Sequence, residues 1–396
     1  MPKSSPWISS PTADIAFILL TPLPILLAFA AAQRGGWIDG LLAFGLTLAM
    51  AHYFPGILRA YGDRALFLRF RLRLILAPIF LIGTPIVFAY LNLNFIFVVA
   101  AVWGAWHWTM QIYGFARIYD NKGEPAARTH PRLDQTICLL WFGTCIFVLN
   151  EALPMYITRF YESGGPRLSA QAFAWFIQGW FALTLALTLF YVIKVLSAIR
   201  GGHWPNPLKL VLLGATFIYL RYSASTVDRP MVGYVMFEAW HDIQYLAIVW
   251  LFNLNRAHKN PEAGPFIRFL FRPRAILVVA YVAVCLVFGS LTHTWRLFEN
   301  PLFARFGVAF VIGTALLHYY LDGFIWKIRE KETRQALGVS EAQGAATIYG
   351  QPRALWVRHA ALWLLFIVPT AFFLFTESQG HARPRLEVYE NVVGAF

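Results

Sequence analysis

The sequence predicts an all-α fold: a polytopic integral membrane helical bundle of about eleven transmembrane helices, with residues 1–396 forming one transmembrane domain. Three observations predict it. Hydrophobic residues make up 58% of the chain and charged residues only 13%, whereas a soluble globular chain averages about 25% charged. The apolar runs are continuous rather than alternating, which argues against a membrane β-barrel. Arginines and lysines gather in short clusters between alternate runs, the pattern that sets the orientation of membrane helices.

A helix crosses the hydrocarbon core with about 20 mainly apolar residues. Runs near that length fall at 13–32, 37–58, 74–91, 95–116, 135–153, 171–197, 207–222, 231–253, 275–292, 302–326 and 354–375. The run at 207–222 is the shortest, so it reads as a full span or as a re-entrant segment. The N-terminal segment has the basic residue, apolar run and alanine-rich end of a cleaved signal. Its run is nevertheless close to spanning length and the next follows almost at once, so a retained first span is expected. No polar linker, low-complexity tract or internal repeat separates folded units.

One set of alternate loops carries Arg59, Arg64, Arg69, Arg71 and Arg73; Arg117, Lys122, Arg128 and Arg132; Arg256, Lys259, Arg268, Arg272 and Arg274; and Lys327, Arg329, Lys331 and Arg334. The opposite loops hold only scattered basic residues, among them Arg34, Arg159, Arg167, Arg229 and Arg296. The expectation is a multi-pass protein of the cell membrane with its N-terminus cytoplasmic and its C-terminal tail outside. The formal charge of +13 is divided among these clusters rather than laid along one basic face, so nucleic acid is not an expected partner; the lipid bilayer is. Cys138, Cys145 and Cys285 sit inside apolar runs without CxxC or Cys/His spacing, as buried thiols rather than a disulfide framework or zinc knuckle.

Four of the ten histidines fall inside apolar spans, each in a different one: His52 in AMAHYFPGILRAYGD, His107 in WGAWHWTMQIYGFARIYD, His241 in MFEAWHDIQYLAIVW and His318 in ALLHYYLDGFIWKIRE. In the expected topology these four spans run in the same direction. From each histidine to the next basic residue, the rise is about 10, 15, 22 and 14 Å at 1.5 Å per residue. Four imidazoles at similar depth are a ligand constellation if their helices face a common centre.

Residues three or four apart share a helix face. Glu238 and His241 form an E-x-x-H pair, a spacing that brings a carboxylate and an imidazole to one metal in helical bundles. His318 and Asp322, His107 and Gln111, and His241 and Gln244 are likewise paired, so every intramembrane histidine except His52 has a partner able to ligate or orient it. Asp242, about 100° round the helix from His241, points elsewhere. A carboxylate at mid-span costs about 2.5 to 3.5 kcal/mol on insertion scales, and this one helix carries two. Trp106, Trp108, Tyr319 and Tyr320 flank the histidines as candidate cavity walls. No mid-span lysine suits a retinal Schiff base, and no GxGxxG, P-loop or nucleophile elbow occurs.

On these four histidine segments the chain resembles the bacterial membrane-integral β-carotene dioxygenase family, polytopic helical proteins whose histidines hold a catalytic iron. That family has two of its histidines close together on one helix; here His241 and His318 lie on separate spans and Glu238 is added. The resemblance implies iron and an apolar small-molecule substrate.

The expected function is therefore a membrane-embedded oxidoreductase using iron or another first-row transition metal. Its expected metal ligands are His52, His107, Glu238, His241 and His318. Glu238 and Asp322 are the candidate catalytic carboxyls, and Gln111, Gln244 and Asp322 the supporting groups. Two other readings stay open: a transporter or proton-conducting protein that uses the same groups as a relay, and a haem protein with two axial histidines.

Overall fold

Proline sets where many of the helices begin. Its ring pre-forms the helical φ, and its missing N–H costs nothing in the first turn. In the computed structural model, which describes residues 5–147, 157–158, 160–166, 168–225, 230–259, 265–326, 337 and 352–379, the helices are α1 Pro11–Asp14, α2 Pro22–Gly35, α3 Ile38–Ala51, α4 Tyr53–Gly62, α5 Arg64–Arg69, α6 Arg71–Tyr90, α7 Ile96–Lys122, α8 Pro131–Phe147, α9 Ala170–Arg200, α10 Pro207–Ser225, α11 Pro230–Lys259, α12 Pro265–Leu270, α13 Ala275–Gly289, α14 Pro301–Ile325 and α15 Pro352–Ser378. A π-helical turn, Ile15–Leu19, follows α1, and a 3₁₀ segment, Ser290–Leu297, follows α13. The described residues contain no strand. The basic cluster from Lys327 to Arg334 and the C-terminal tail from residue 380 lie outside the described residues.

Among the described residues, six helical segments are long and apolar enough to cross a membrane: Ile38–Gly62, Arg71–Tyr90, Ala170–Arg200, Ala275–Leu297, Pro301–Ile325 and His359–Ser378. A seventh forms if Pro11–Leu19 and Pro22–Gly35, bent by 48°, count as one span. The expected count of about eleven is thus met only in part. The segments Ile96–Lys122, Pro131–Phe147, Pro207–Ser225 and Pro230–Lys259 are helical but fall short of that standard of length and apolarity. The reason is visible in what α11 carries: Glu238, His241, Asp242, Gln244 and Asn253 are all buried. A helix walled by other helices is not required to be apolar all round. In α9, by contrast, only 11% of the apolar window is buried. Phe176, Leu185, Leu189 and Ile193 stand exposed along it, an apolar surface of the kind that suits lipid.

Two large buried clusters make up most of the interior among the described residues. One joins α2, α3, α7, α8, α10, α11 and α13 through residues such as Phe29, Ile112, Phe142, Leu212, Trp240 and Cys285. The other joins α4, α6, α7, α14 and α15 through Ala60, Leu81, Ile96, Leu321 and Phe373. Helix α7 contributes to both. Close approach is bought at glycines, as is common between membrane helices. A Cβ on Gly313 of α14 would stand 2.7 Å from Ile82 Cα of α6. One on Gly289 of α13 would collide with Thr47 O and stand 2.9 Å from Ala51 Cβ, pressing on the end of α3.

The break between α3 and α4 falls at His52 and has a local cause. Pro55, in the first turn of α4, lacks the N–H that would bond Ala51 O, and its ring crowds that carbonyl. The helix therefore ends at Ala51 and restarts at Tyr53.

Polar contacts tie the helix ends. Arg256 of α11 donates to Asp63 Oδ2 after α4 at 2.6 Å. The Arg59 guanidinium lies 4.1 Å from the Phe252 ring centroid and 4.2 Å from that of Trp326, a cation–π contact that gathers the ends of α4, α11 and α14. A second knot joins α7, α8 and α10. Lys209 Nζ donates to Asp120 Oδ1 and to Asp134 Oδ2, each at 2.9 Å, and to Thr129 Oγ1. Arg117 Nη1 donates at 2.6 Å to both Asp120 Oδ2 and Asp134 Oδ2. Lys209, Asp120 and Asp134 are buried.

Candidate metal centre

The four histidines come from α7 (His107), α11 (His241), α14 (His318) and the α3–α4 break (His52). All four are buried. Each offers one ring nitrogen such that the four nitrogens lie within 4.8 Å of one another; this buried group could hold a metal ion. His107 Nε2 lies 3.2 Å from His241 Nε2 and 3.2 Å from His318 Nε2. A ring nitrogen carries one proton or one lone pair. His107 Nε2 can therefore complete one linear hydrogen bond, not two. Metal–nitrogen bonds of about 2.0–2.1 Å would separate ligand nitrogens by roughly 2.9 Å at a right angle and 3.4 Å at a tetrahedral one, so the observed spacing suits a shared ion.

Aromatic rings hold the imidazoles in place. Tyr53 stacks on His318 with centroids 4.7 Å apart and planes at 24°; Tyr319 stacks on His107 at 4.9 Å and 29°. Tyr245 stands edge-on to His52 and His318 at 5.4 and 5.2 Å. Of the expected wall residues, Trp108 approaches His241, with centroids 6.2 Å apart. Trp106 is exposed, and Tyr320 packs against His359 and Trp363 of α15 instead. Gly56 lets α4 pack closely on the site: a Cβ there would stand 2.9 Å from Tyr245 Oη and 3.7 Å from His318 Nδ1.

Asp322 lies beside the histidines without bonding them, its Oδ2 at 3.7 Å from His318 Nε2 and 4.0 Å from His107 Nε2. Its other oxygen is held: Tyr245 Oη donates to Asp322 Oδ1 at 2.9 Å and Trp326 Nε1 at 3.0 Å. The two glutamines do something other than orient rings. Gln111 Nε2 donates to His241 O at 3.0 Å and to Gln244 Oε1 at 3.3 Å. Gln244 Nε2 and Trp240 Nε1 both donate to Ile18 O, at 2.8 and 3.1 Å. Together they fasten α7 and α11 to the π-helical turn near the N-terminus.

The largest departure from the expected pairing concerns α11. Glu238 falls not with the four-nitrogen group but with His52 and Asp242, in a second set whose ligand atoms also lie within 4.8 Å of one another. Asp242 does leave the His241 face, and it meets His52: His52 Nδ1 lies 2.5 Å from Asp242 Oδ1. The signal was two residues left without partners, one histidine and one acid. Only the packing of α3 against α11 could join them.

An axial histidine pair needs the whole plane between its rings for the porphyrin. Here the space around the His107–His241 contact holds His318 and His52, with centroids 4.7 Å from His107 and 5.0 Å from His241 respectively. This arrangement does not fit a haem. Comparison with protein families, with curated proteins and with solved structures finds no match to this chain.

Proposed function

We propose that this chain is a membrane-embedded oxidoreductase in which His52, His107, His241 and His318 hold a first-row transition metal, iron in our reading, next to a lipid-soluble substrate. The observation that carries the reading is the approach of His241 Nε2 and His318 Nε2 to His107 Nε2, each at 3.2 Å, inside a buried, aromatic-lined interior. An all-imidazole set with carboxylates nearby suits iron and its neighbours better than a thiolate site would. The three cysteines are buried in the first apolar cluster and form no part of the set. The resemblance of the histidine segments to membrane-integral carotene dioxygenases is what points to iron and an apolar substrate.

When bound, such a metal would supply dioxygen activation. The chain's own contribution is to orient the rings by stacking, to exclude water with Tyr53, Tyr245 and Tyr319, and to hold Asp322 Oδ2 where it can accept or return a proton. Asp322 suits that task because Tyr245 and Trp326 fix only its other oxygen. Purified protein should contain stoichiometric metal, show no Soret band, and consume dioxygen when an apolar polyene is supplied in detergent micelles. Absence of metal, together with proton or solute flux in liposomes, would replace this reading by a relay.

The inner helices α7, α8, α10 and α11 complete the spans in this reading, with the N-terminus cytoplasmic. Support comes from the joining of Arg59, Asp63, Arg256 and Trp326 at one end of α4, α11 and α14. Cysteines introduced at Arg69, Arg128 and Arg268 should be shielded from an impermeant thiol reagent in intact cells and labelled after lysis. Labelling of two of them in intact cells would reverse the orientation.

A further inference from the structure

The four-histidine centre leaves two buried acids of α11 unexplained. Glu238 and Asp242 are four residues apart and so share a face; Glu238 is 1% exposed, Asp242 and His52 not at all. Both oxygens of Asp242, Oε2 of Glu238 and both nitrogens of His52 lack a hydrogen-bond partner. The 2.5 Å approach of His52 Nδ1 to Asp242 Oδ1 is therefore a contact without hydrogen-bond alignment. Among the described residues, no lysine or arginine reaches either carboxylate; of the buried cations, Lys209 is engaged with Asp120 and Asp134, Arg256 with Asp63, and Arg59 with the Phe252 and Trp326 rings. Two carboxyls inside a membrane bundle with no lysine or arginine at hand are either held neutral or matched by a positive charge, and a divalent cation would supply that charge.

We propose that Glu238, Asp242 and His52 form a second divalent-cation site, adjacent to the four-histidine centre and sharing the His52 imidazole with it. One imidazole nitrogen and two carboxylates within 4.8 Å of one another are a ligand set that zinc, manganese or ferrous iron accepts. His52 is common to both sets, and when the second ion binds its ring proton is released to solvent, so that as an imidazolate it offers a lone pair at each nitrogen. With Nδ1 facing Asp242, Nε2 remains for the histidine centre. His52 stands at the α3–α4 junction with its ring between α11, which carries Asp242 and His241, and α14, which carries His318, so one imidazole faces both sets. The proposal rests on the reading of the four histidines as a metal centre, and it makes the centre dinuclear.

The test is a zinc count. Full-length protein stripped by chelator would be equilibrated with Zn²⁺ and metal per chain measured after dialysis, for the native chain, for Glu238→Gln/Asp242→Asn and for His107→Ala. The expected result is two zinc ions per native chain and one in the double variant. His107→Ala should keep the zinc on the acid side. The isosteric double variant reports its own folding by retaining the histidine-bound zinc. One zinc per chain in both the native protein and the double variant would overturn the second site while leaving the first intact, and would mean that the acids are held as neutral carboxyls. No zinc in any of the three would overturn both.

Discussion

His107→Ala is expected to remove the metal from the four-histidine centre and with it all turnover that depends on it. The effect should be the largest of any single substitution, because His107 Nε2 is the atom that both His241 and His318 approach at 3.2 Å. Changes in groups that merely support a ligand typically cost 10-to-100-fold in affinity or activity; loss of the central ligand should exceed that. Metal content per chain, compared at equal monodispersity in detergent, reads the outcome. A variant that keeps its metal and its activity would make His107 a packing residue and dissolve the centre.

Lys209→Met should have the largest effect on stability. Lys209 is one of two cations set against Asp120 and Asp134, and its removal leaves a buried carboxylate uncompensated. Breaking a buried pair from one side costs about 3–5 kcal/mol, whereas neutralising an acid as well should return part of it. Thermal unfolding in detergent should therefore fall sharply for Lys209→Met and recover partly in Lys209→Met/Asp120→Asn. Equal stabilities for all three proteins would show that the knot contributes nothing.

The helices were readable from composition because continuous apolar runs broken by proline and basic clusters leave few alternatives. The four histidines were readable for a related reason: polar groups are costly in lipid, so each one inside a span demands an explanation. What the sequence did not disclose is long-range pairing. Periodicity on one helix put Glu238 with His241 and left His52 and Asp242 apart, whereas packing of α3 on α11 brings His52, Glu238 and Asp242 together. Gln111 and Gln244 share faces with imidazoles yet bond backbone and each other, because a same-face neighbour is also free to reach the next helix. The Lys209 knot joins residues 120, 134 and 209, and no local spacing links those positions. The span count of about eleven is met only in part by length and apolarity, because helices shielded by protein, such as α11, need not be apolar.

X-ray absorption at the edge of the metal that copurifies with the full-length protein tests the central claim most directly. The account predicts a shell dominated by nitrogen at about 2.0–2.1 Å, the length of metal–imidazole bonds, with the outer-ring scattering of several imidazoles and no sulfur. It also predicts loss of that signal in His107→Ala. A shell of oxygen or sulfur without imidazole scattering, or a spectrum unchanged by the substitution, would contradict a centre built from His52, His107, His241 and His318.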